Sequence, residues 1–459
     1  MSPETDSAAA NLLRRPVSRR DMLKGGLAAG GLVATGGAGV LLDACSTGST
    51  SSSSPTAATT NFSGVKLNIF SGGYTIPYEQ LAQTAWKTKT GGDVNITNVP
   101  FGDRPAKIAG LIASKDSSFD LIYMYDGYMK RYGDRLLLDL TDVVGDKTDF
   151  LPVTMKTLTA PSGVIKAGPM HGEHMVLLWN KGLFSSIGAT SAPETWADAF
   201  AMAPKFKDKG IIPLAIPMLT ATYGNFYWTF FINSLFPNPI ISPDYTQILF
   251  DNADGLSSFQ TIKAGLDAGF FDPNSMTATD EYAVALLYNS GKMAMHLGWT
   301  EHYKDAISGD VKNYQATINP ADVQAALVPG VKSGTSGSVN GIEGLGINKY
   351  GKNIEACKSF IKELISPEVG KQAVLSPTVY PPTRFSVLAD SEVLSHFKIA
   401  KVWGDQAKAN LDLHNAPYDL APVIDEAIGG LVRGKYSAQA AHKAAVDGSK
   451  AAIVKWLSQ

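Results

Sequence analysis

Residues 119–126 read Phe-Asp-Leu-Ile-Tyr-Met-Tyr-Asp, and Phe119 to Tyr125 reads as a short continuous apolar run. A strand wetted on one face alternates apolar and polar residues. A continuous run suits a strand covered on both faces, as in a parallel sheet. The chain upstream supplies neighbours for it. Val65-Lys66-Leu67-Asn68-Ile69-Phe70 alternates as a strand does, and Ser71-Gly72-Gly73 reads as a turn. Tyr78, Leu81, Ala82, Ala85 and Trp86 then recur at the spacing of an amphipathic helix, which Gly91-Gly92 ends. Val94, Ile96 and Asn98 begin a second alternating strand, and a helix containing Ile108, Leu111 and Ile112 follows. Strands and helices that keep alternating predict an open α/β sheet.

A second set of elements begins after residue 175. Pro193 to Ala203 reads as a helix with Trp196, Phe200 and Ala203 on one side, and residues 257–268 and 281–290 also read as helices. Lys292 to Leu297 reads as a strand, residues 352–365 as a helix, and Ser437 to Leu457 as a long terminal helix. A chain of 459 residues exceeds what one hydrophobic core holds, so two domains are expected. With 44% hydrophobic residues it can fill both cores.

Formal net charge is −2 and no basic face is clustered, which argues against a nucleic-acid partner. There are two cysteines, Cys45 and Cys357. Cys45 lies in the leader region, so Cys357 has no partner in the body and reads as a buried thiol on a helix face with Ile354, Phe360 and Ile361.

The first sixty residues have the order of an export signal. Arg14, Arg15, Arg19, Arg20 and Lys24 form a basic start, residues 25–42 are uncharged and rich in Gly and Ala, and Leu42-Asp43-Ala44-Cys45 closes the segment. Ser18-Arg19-Arg20-Asp21-Met22-Leu23-Lys24 resembles the twin-arginine signal, with Met22 where that signal usually has Phe. Leu42 to Cys45 resembles a bacterial lipobox, with Asp43 in place of a small neutral residue; the resemblance implies lipidation of Cys45. Residues 46–60, STGSTSSSSPTAATT, have no charge and no large side chain and read as a flexible tether. The expected division is therefore 1–44 signal peptide and 45–61 lipidated Cys with linker. A secreted protein with an accidental Cys is the competing reading.

Several landmarks of the body fall in the order of a known family. They are the strand-turn-helix of 65–90, FDLIYMYD at 119–126, GPMHGEHMVLLWNKGLF at 168–184, and PETWADAF at 193–200. NSGKMAMHLGW at 289–299, VNGIEGLGINK at 339–349 and the helix through Ser366-Pro367-Glu368 complete the set. In this the body, residues 64–459, resembles the family 1 extracellular solute-binding proteins, the maltodextrin- and sugar-binding components of ABC importers. The resemblance implies a two-lobed periplasmic-binding-protein fold of type II, maltose-binding-protein-like, with discontinuous domains joined by a hinge. Chain crossings are then expected near 171–175, 296–299 and 381–386. The lobes would be 62–172 with 299–382, and 175–296 with 386–459. The implied partners are a small solute, an ABC permease and the membrane that holds the lipid; a monomer without metal or cofactor is expected.

Ligands of open α/β sheets bind beyond the carboxyl ends of strands. Sugars present C–H faces that suit aromatic rings and hydroxyl rims that suit carboxylates, amides and Arg. Tyr74, in the loop after the first strand, is one candidate; an exposed turn aromatic is the alternative. Asp126 follows the apolar run and aligns with a ligand carboxylate of the family, with a helix N-cap as the alternative. Glu173, at the first crossing, stands where the family has another carboxylate, or else forms a bridge between lobes. Trp299 follows a strand at the second crossing, where the family has a stacking aromatic. Tyr223, Asn225 and Trp228, with Tyr227, form a cluster from which one or two residues are expected to face the cleft. Glu343 sits between glycines that allow close approach. Arg384, at the third crossing, and Tyr418 complete the candidates.

Enzyme readings are weaker. His171-Gly172-Glu173-His174 is not HExxH and has no third ligand at suitable spacing. Gly341, Gly344 and Gly346 stand in the wrong order for a dinucleotide loop, and the chain has no P-loop and no G-x-S-x-G. Asp139, Asp142, Asp146 and Asp149 lack EF-hand spacing. A secreted carbohydrate-active enzyme using paired carboxylates such as Glu173 and Glu343 is the enzyme alternative. A lipoprotein for adhesion or signalling is a further one, and within the binding reading the resemblance also allows a polyol or glycerophosphodiester rather than a sugar.

Overall fold

The computed structural model describes residues 61–216, 233–236, 238–242, 244, 246–272, 281–411 and 420–457. The export signal, Cys45 and the linker through residue 60 lie outside the described residues, as do Tyr223, Asn225, Trp228 and Tyr418. Among the described residues no helix is long and apolar enough to cross a membrane.

The apolar run does become a strand covered on both faces. The strands are β1 (Lys66–Ser71), β2 (Asp93–Asn98), β3 (Leu121–Tyr125), β4 (Gly168–His174), β5 (Val176–Asn180), β6 (Ile212–Leu214), β7 (Met293–Gly298), β8 (Val323–Ala326) and β9 (Asn340–Ile347). All five residues of β3 are buried, which is why no polar position interrupts Leu121 to Tyr125. They form two sheets, ordered β2-β1-β3-β9-β4 and β6-β7-β5-β8. In the first, β1 runs parallel to β2 and β3, while β9 runs antiparallel to β3 and β4. In the second, β6 is parallel to β7, and β5 is antiparallel to β7 and β8.

Helix Ile76–Thr90 covers the first sheet with Tyr78, Ala82 and Trp86, as its periodicity predicts. Trp86 packs edge-on to Phe360, with ring centroids 5.5 Å apart, and its indole N–H donates to Ser359 Oγ at 3.0 Å. Burying an aromatic of this size contributes on the order of 2–3 kcal/mol. Cys357 is buried on helix Ile354–Leu364 with Phe360 and Ile361.

The chain passes between sheets in the shortest way available. β4 ends at His174, β5 begins at Val176, and only Met175 separates them. The Met175 N–H donates to the Val339 carbonyl at 3.3 Å, so the return passage into β9 lies beside it. The third segment is pinned to the same place: Trp403, on helix Ala400–Ala409, donates its indole N–H to the Gly172 carbonyl at 3.0 Å.

One boundary differs from the sequence reading, which put 299–382 with the first lobe. Strand β8 pairs with β5 in the second sheet, and helix Thr300–Ile307 packs on β7 and β8. The chain therefore returns to the first sheet between β8 and β9, not at Trp299. The cause is local: Trp299 is the N-cap of a helix that folds back over the strand it has just left.

Candidate functional site

Beyond the carboxyl ends of β1 and β3, and against the crossings, lies a cleft. It receives side chains from both sheets.

The first sheet supplies one wall. β4 carries His171 and Glu173 two residues apart, so they share a face, and β9 carries Gly341 and Glu343 on that same face. All four line the cleft. Both Glu343 oxygens are engaged, one by the Tyr123 hydroxyl and the other by His171 Nε2 at 2.9 Å. His174, on the opposite face, pairs through Nδ1 with Asn340 Oδ1 at 2.8 Å, and burial lowers its pKa to about 4. The suspicious His-Gly-Glu-His run is thus divided between two faces of a strand.

Tyr74 leaves the turn after β1 and donates its hydroxyl to Glu173 Oε1 at 3.3 Å. Tyr380 holds that turn by donating its hydroxyl to the Tyr74 carbonyl at 2.6 Å. Arg104, which opens helix Arg104–Ser114 after β2, enters the same wall. It is only 3% exposed, and its Nε donates to the Val99 carbonyl at 2.8 Å. Its guanidinium carbon stands 5.1 Å from the Phe101 ring centroid and 4.7 Å from that of Tyr123. Gly72 makes the space: a Cβ there would come within 3.0 Å of both terminal guanidinium nitrogens.

Elements of the second sheet supply the other wall. Trp299 ends the passage out of β7, lines the cleft, and donates its indole N–H to Glu281 Oε2 at 3.1 Å. Glu281 and Tyr282 begin helix Glu281–Asn289, and the Tyr282 hydroxyl donates to Glu301 Oε1 at 3.2 Å. The walls meet at Gly341, where a Cβ would stand 3.0 Å from Glu173 Cβ and 3.1 Å from the Trp299 ring. They are also tied by a hydrogen bond, since the Thr300 N–H at the start of helix Thr300–Ile307 donates to Glu173 Oε2 at 3.2 Å.

Burial dominates the electrostatics. It raises the Glu173 pKa to about 7 against the lowering effects of His171, Thr300 and Tyr74. It pushes Glu301 well above the usual carboxylate range, with Glu173, Asp305 and Glu281 adding repulsion. Beneath the first wall, burial likewise raises Glu79 to about 7, although Ser71 and Thr75 hydroxyls bond it at 2.8 and 3.0 Å.

The structure brings four sequence candidates together in the cleft: Tyr74, Glu173, Trp299 and Glu343. Asp126 is the first residue of helix Asp126–Leu136, whose N-cap is Tyr125, so it does not occupy the N-cap position; its side chain lies outside the described part. Arg384 is not among the cleft residues. It pairs with Asp149 at 3.0 Å, donates through Nε to the Ile365 carbonyl at 2.8 Å, and stacks 3.8 Å over Phe150, which ties the segment after the third crossing to the first lobe. Arg104, Tyr123, Glu281, Tyr282 and Glu301 were not singled out from sequence. The strand-end rule applied to β2 would have reached Arg104, six residues past Asn98.

With this geometry in hand, comparisons with known proteins are informative. Residues 71–371 match the sequence model of the bacterial extracellular solute-binding proteins. The chain belongs to that family. No curated protein matches the sequence. Among solved structures, the solute-binding protein shares its fold with maltose-bound MalE3 of T. maritima: TM-score 0.70, 19% identity, covering 84% of this chain and 99% of that one. The GacH receptor of Streptomyces glaucescens, solved unliganded and with acarbose, gives TM-score 0.70 and 20% identity over 85% of this chain and 98% of that one. An ABC-transporter solute-binding protein of Agrobacterium radiobacter in complex with ribitol gives 0.71 and 20%, over 85% and 99% respectively.

Proposed function

We propose that this chain captures a sugar or sugar-like solute between its two lobes and delivers it to the permease of an ABC importer. The carrying observation is the cleft itself. In a chain of the solute-binding family, aromatic rings and hydrogen-bonded carboxylates converge where two sheets meet at short crossings. The lobes open and close about Met175 and its neighbouring passages, burying the solute in the closed form, which docks on the permease. The ligands named in the titles of the similar structures, maltose, acarbose and ribitol, support a polyhydroxylated solute.

The chain works as a binding protein rather than an enzyme. Glu173 and Glu343 share one face of the β4–β9 ladder, and both already accept protein hydrogen bonds. A glycosidase pair instead flanks the scissile bond from two sides. The leader places the body outside the cytoplasm: a twin-arginine signal exports it folded, lipid on Cys45 anchors it, and residues 46–60 tether it beside the permease as a monomer. Growth with a radioactive fatty acid labels the wild type and not Cys45→Ala; equal labelling removes the anchor.

The capture reading is tested by calorimetry over sugars and polyols with wild type and Trp299→Ala. Saturable binding without product, weakened roughly 30- to 100-fold by the substitution, is expected for loss of a central aromatic contact. Unchanged affinity takes Trp299 out of the site, and product release makes the protein an enzyme.

A further inference from the structure

One charged group in the cleft is left without a protein partner for its reactive edge. Glu173, Glu281, Glu301 and Glu343 each accept a hydrogen bond from a protein donor: Tyr74 and Thr300, Trp299, Tyr282, and Tyr123 with His171, respectively. Arg104 differs. Its Nε is spent on the Val99 carbonyl, while among the described residues its two terminal nitrogens meet no acceptor; Glu79 feels its charge but forms no hydrogen bond or ion pair with it. The Phe101 and Tyr123 ring centroids stand 5.1 and 4.7 Å from its guanidinium carbon, and Gly72 keeps a side chain away from its terminal nitrogens.

A guanidinium cannot shed its charge, so burying it at 3% exposure without an acceptor is costly. Rings relieve part of that cost. They satisfy no N–H conventionally, and the N–H fork of a guanidinium matches a planar or tetrahedral oxyanion in a bidentate way. The one carboxylate joined to the same Tyr123 ring system, Glu343, shares its charge with the Tyr123 hydroxyl and His171, which reduces its repulsion of an incoming anion.

We propose that the solute is a sugar or polyol bearing an oxyanion, a carboxylate or a phosphate ester, and that Arg104 holds that group while the opposite wall receives the hydroxyls. This rests on the solute-capture reading and narrows it.

The test is titration calorimetry on the full mature protein with glucuronate, glucose 6-phosphate, glucose and ribitol. The two anionic probes distinguish carboxylate from phosphate. At least one is expected to bind about 10- to 100-fold more tightly than glucose, with the advantage lost in Arg104→Gln and partly kept in Arg104→Lys. Should Arg104→Gln not fold by circular dichroism, salt dependence of the wild type decides: rising salt weakens the anionic probe and leaves ribitol unchanged. Neutral probes that bind as tightly as anionic ones, or anionic binding indifferent both to Arg104→Gln and to salt, overturn the oxyanion inference and leave solute capture standing. No response to either anionic probe overturns the oxyanion inference, and solute capture is then decided by the calorimetry over sugars and polyols with wild type and Trp299→Ala.

Discussion

The two walls of the cleft are built from different parts and present different chemistry. The wall from the first sheet draws on strands and one helix start: Tyr123, His171 and Glu343 stand on paired strands, Arg104 opens the helix after β2, and a second layer with Glu79 and Tyr380 supports them. The wall from the second sheet is made of helix beginnings, with Glu281, Tyr282, Trp299 and Glu301 at two first turns. Helix N-termini favour negative charge, which suits Glu281 and Glu301. Arg104 stands at a helix start against that bias, beside the Phe101 and Tyr123 rings. The contrast lies in the cation: the first wall sets it beside the engaged carboxylates Glu173 and Glu343, while the described residues of the second wall bring engaged carboxylates and no Lys or Arg.

That contrast can be attacked on each side. The largest effect belongs to Glu79, which supports the first wall and is fully buried. Its pKa of about 7, above the ordinary 4.5, means that the folded state keeps a proton that the unfolded chain has released. The stability this confers is complete below about pH 4.5 and is lost as pH rises through 7. Thermal or urea unfolding should therefore show Glu79→Gln gaining on the wild type by roughly 3 kcal/mol between those limits. A gap that stays constant with pH would show Glu79 to be an ordinary carboxylate.

Next comes the seam. Gly341→Val pushes a branched side chain into Glu173 and Trp299, and solute affinity is expected to fall by about 30-fold, roughly 2 kcal/mol, with the fold retained. If affinity survives, the walls do not need to touch. On the second wall, Glu281→Gln weakens the hydrogen bond that orients Trp299, at a cost of about 3- to 10-fold in affinity. The smallest effect tests the boundary of the site. Arg384→Gln should cost about 1 kcal/mol of stability through its half-exposed pair with Asp149 and leave affinity unchanged. A loss of affinity there would extend the site to the third crossing.

Much of the architecture was legible because burial writes itself into sequence. The unbroken run at 121–125 is apolar because β3 is covered on both faces, and the spacing of Tyr78, Ala82 and Trp86 records the helix that covers it. The return of the chain to the first sheet was not legible. Pairing between β8 and β5 depends on partners more than a hundred residues apart, and Val323-Gln324-Ala325-Ala326 has no pattern that names its sheet. In the cleft, Tyr74, Glu173, Trp299 and Glu343 could be picked out because each adjoins a strand end, a crossing or a glycine pair. Arg104 was passed over since it opens an exposed-looking helix, and only the space at Gly72 and the rings of Phe101 and Tyr123 reveal that it turns inward. Arg384 looked equivalent in sequence, yet a local carboxylate at Asp149 captures it.

The bond between the Trp299 indole and Glu281 gives the protein a built-in optical reporter. Among the tryptophans whose side chains are described, Trp86, Trp179, Trp196 and Trp403 are buried and do not line the cleft, so Trp299 is the one of them whose surroundings a bound solute would change directly. Replacing solvent beside that ring while its N–H stays fixed on a carboxylate should shift the emission maximum and its quenching by iodide. Occupancy, and the rate at which the lobes close over an occupant, could then be followed in a stopped-flow instrument without any label.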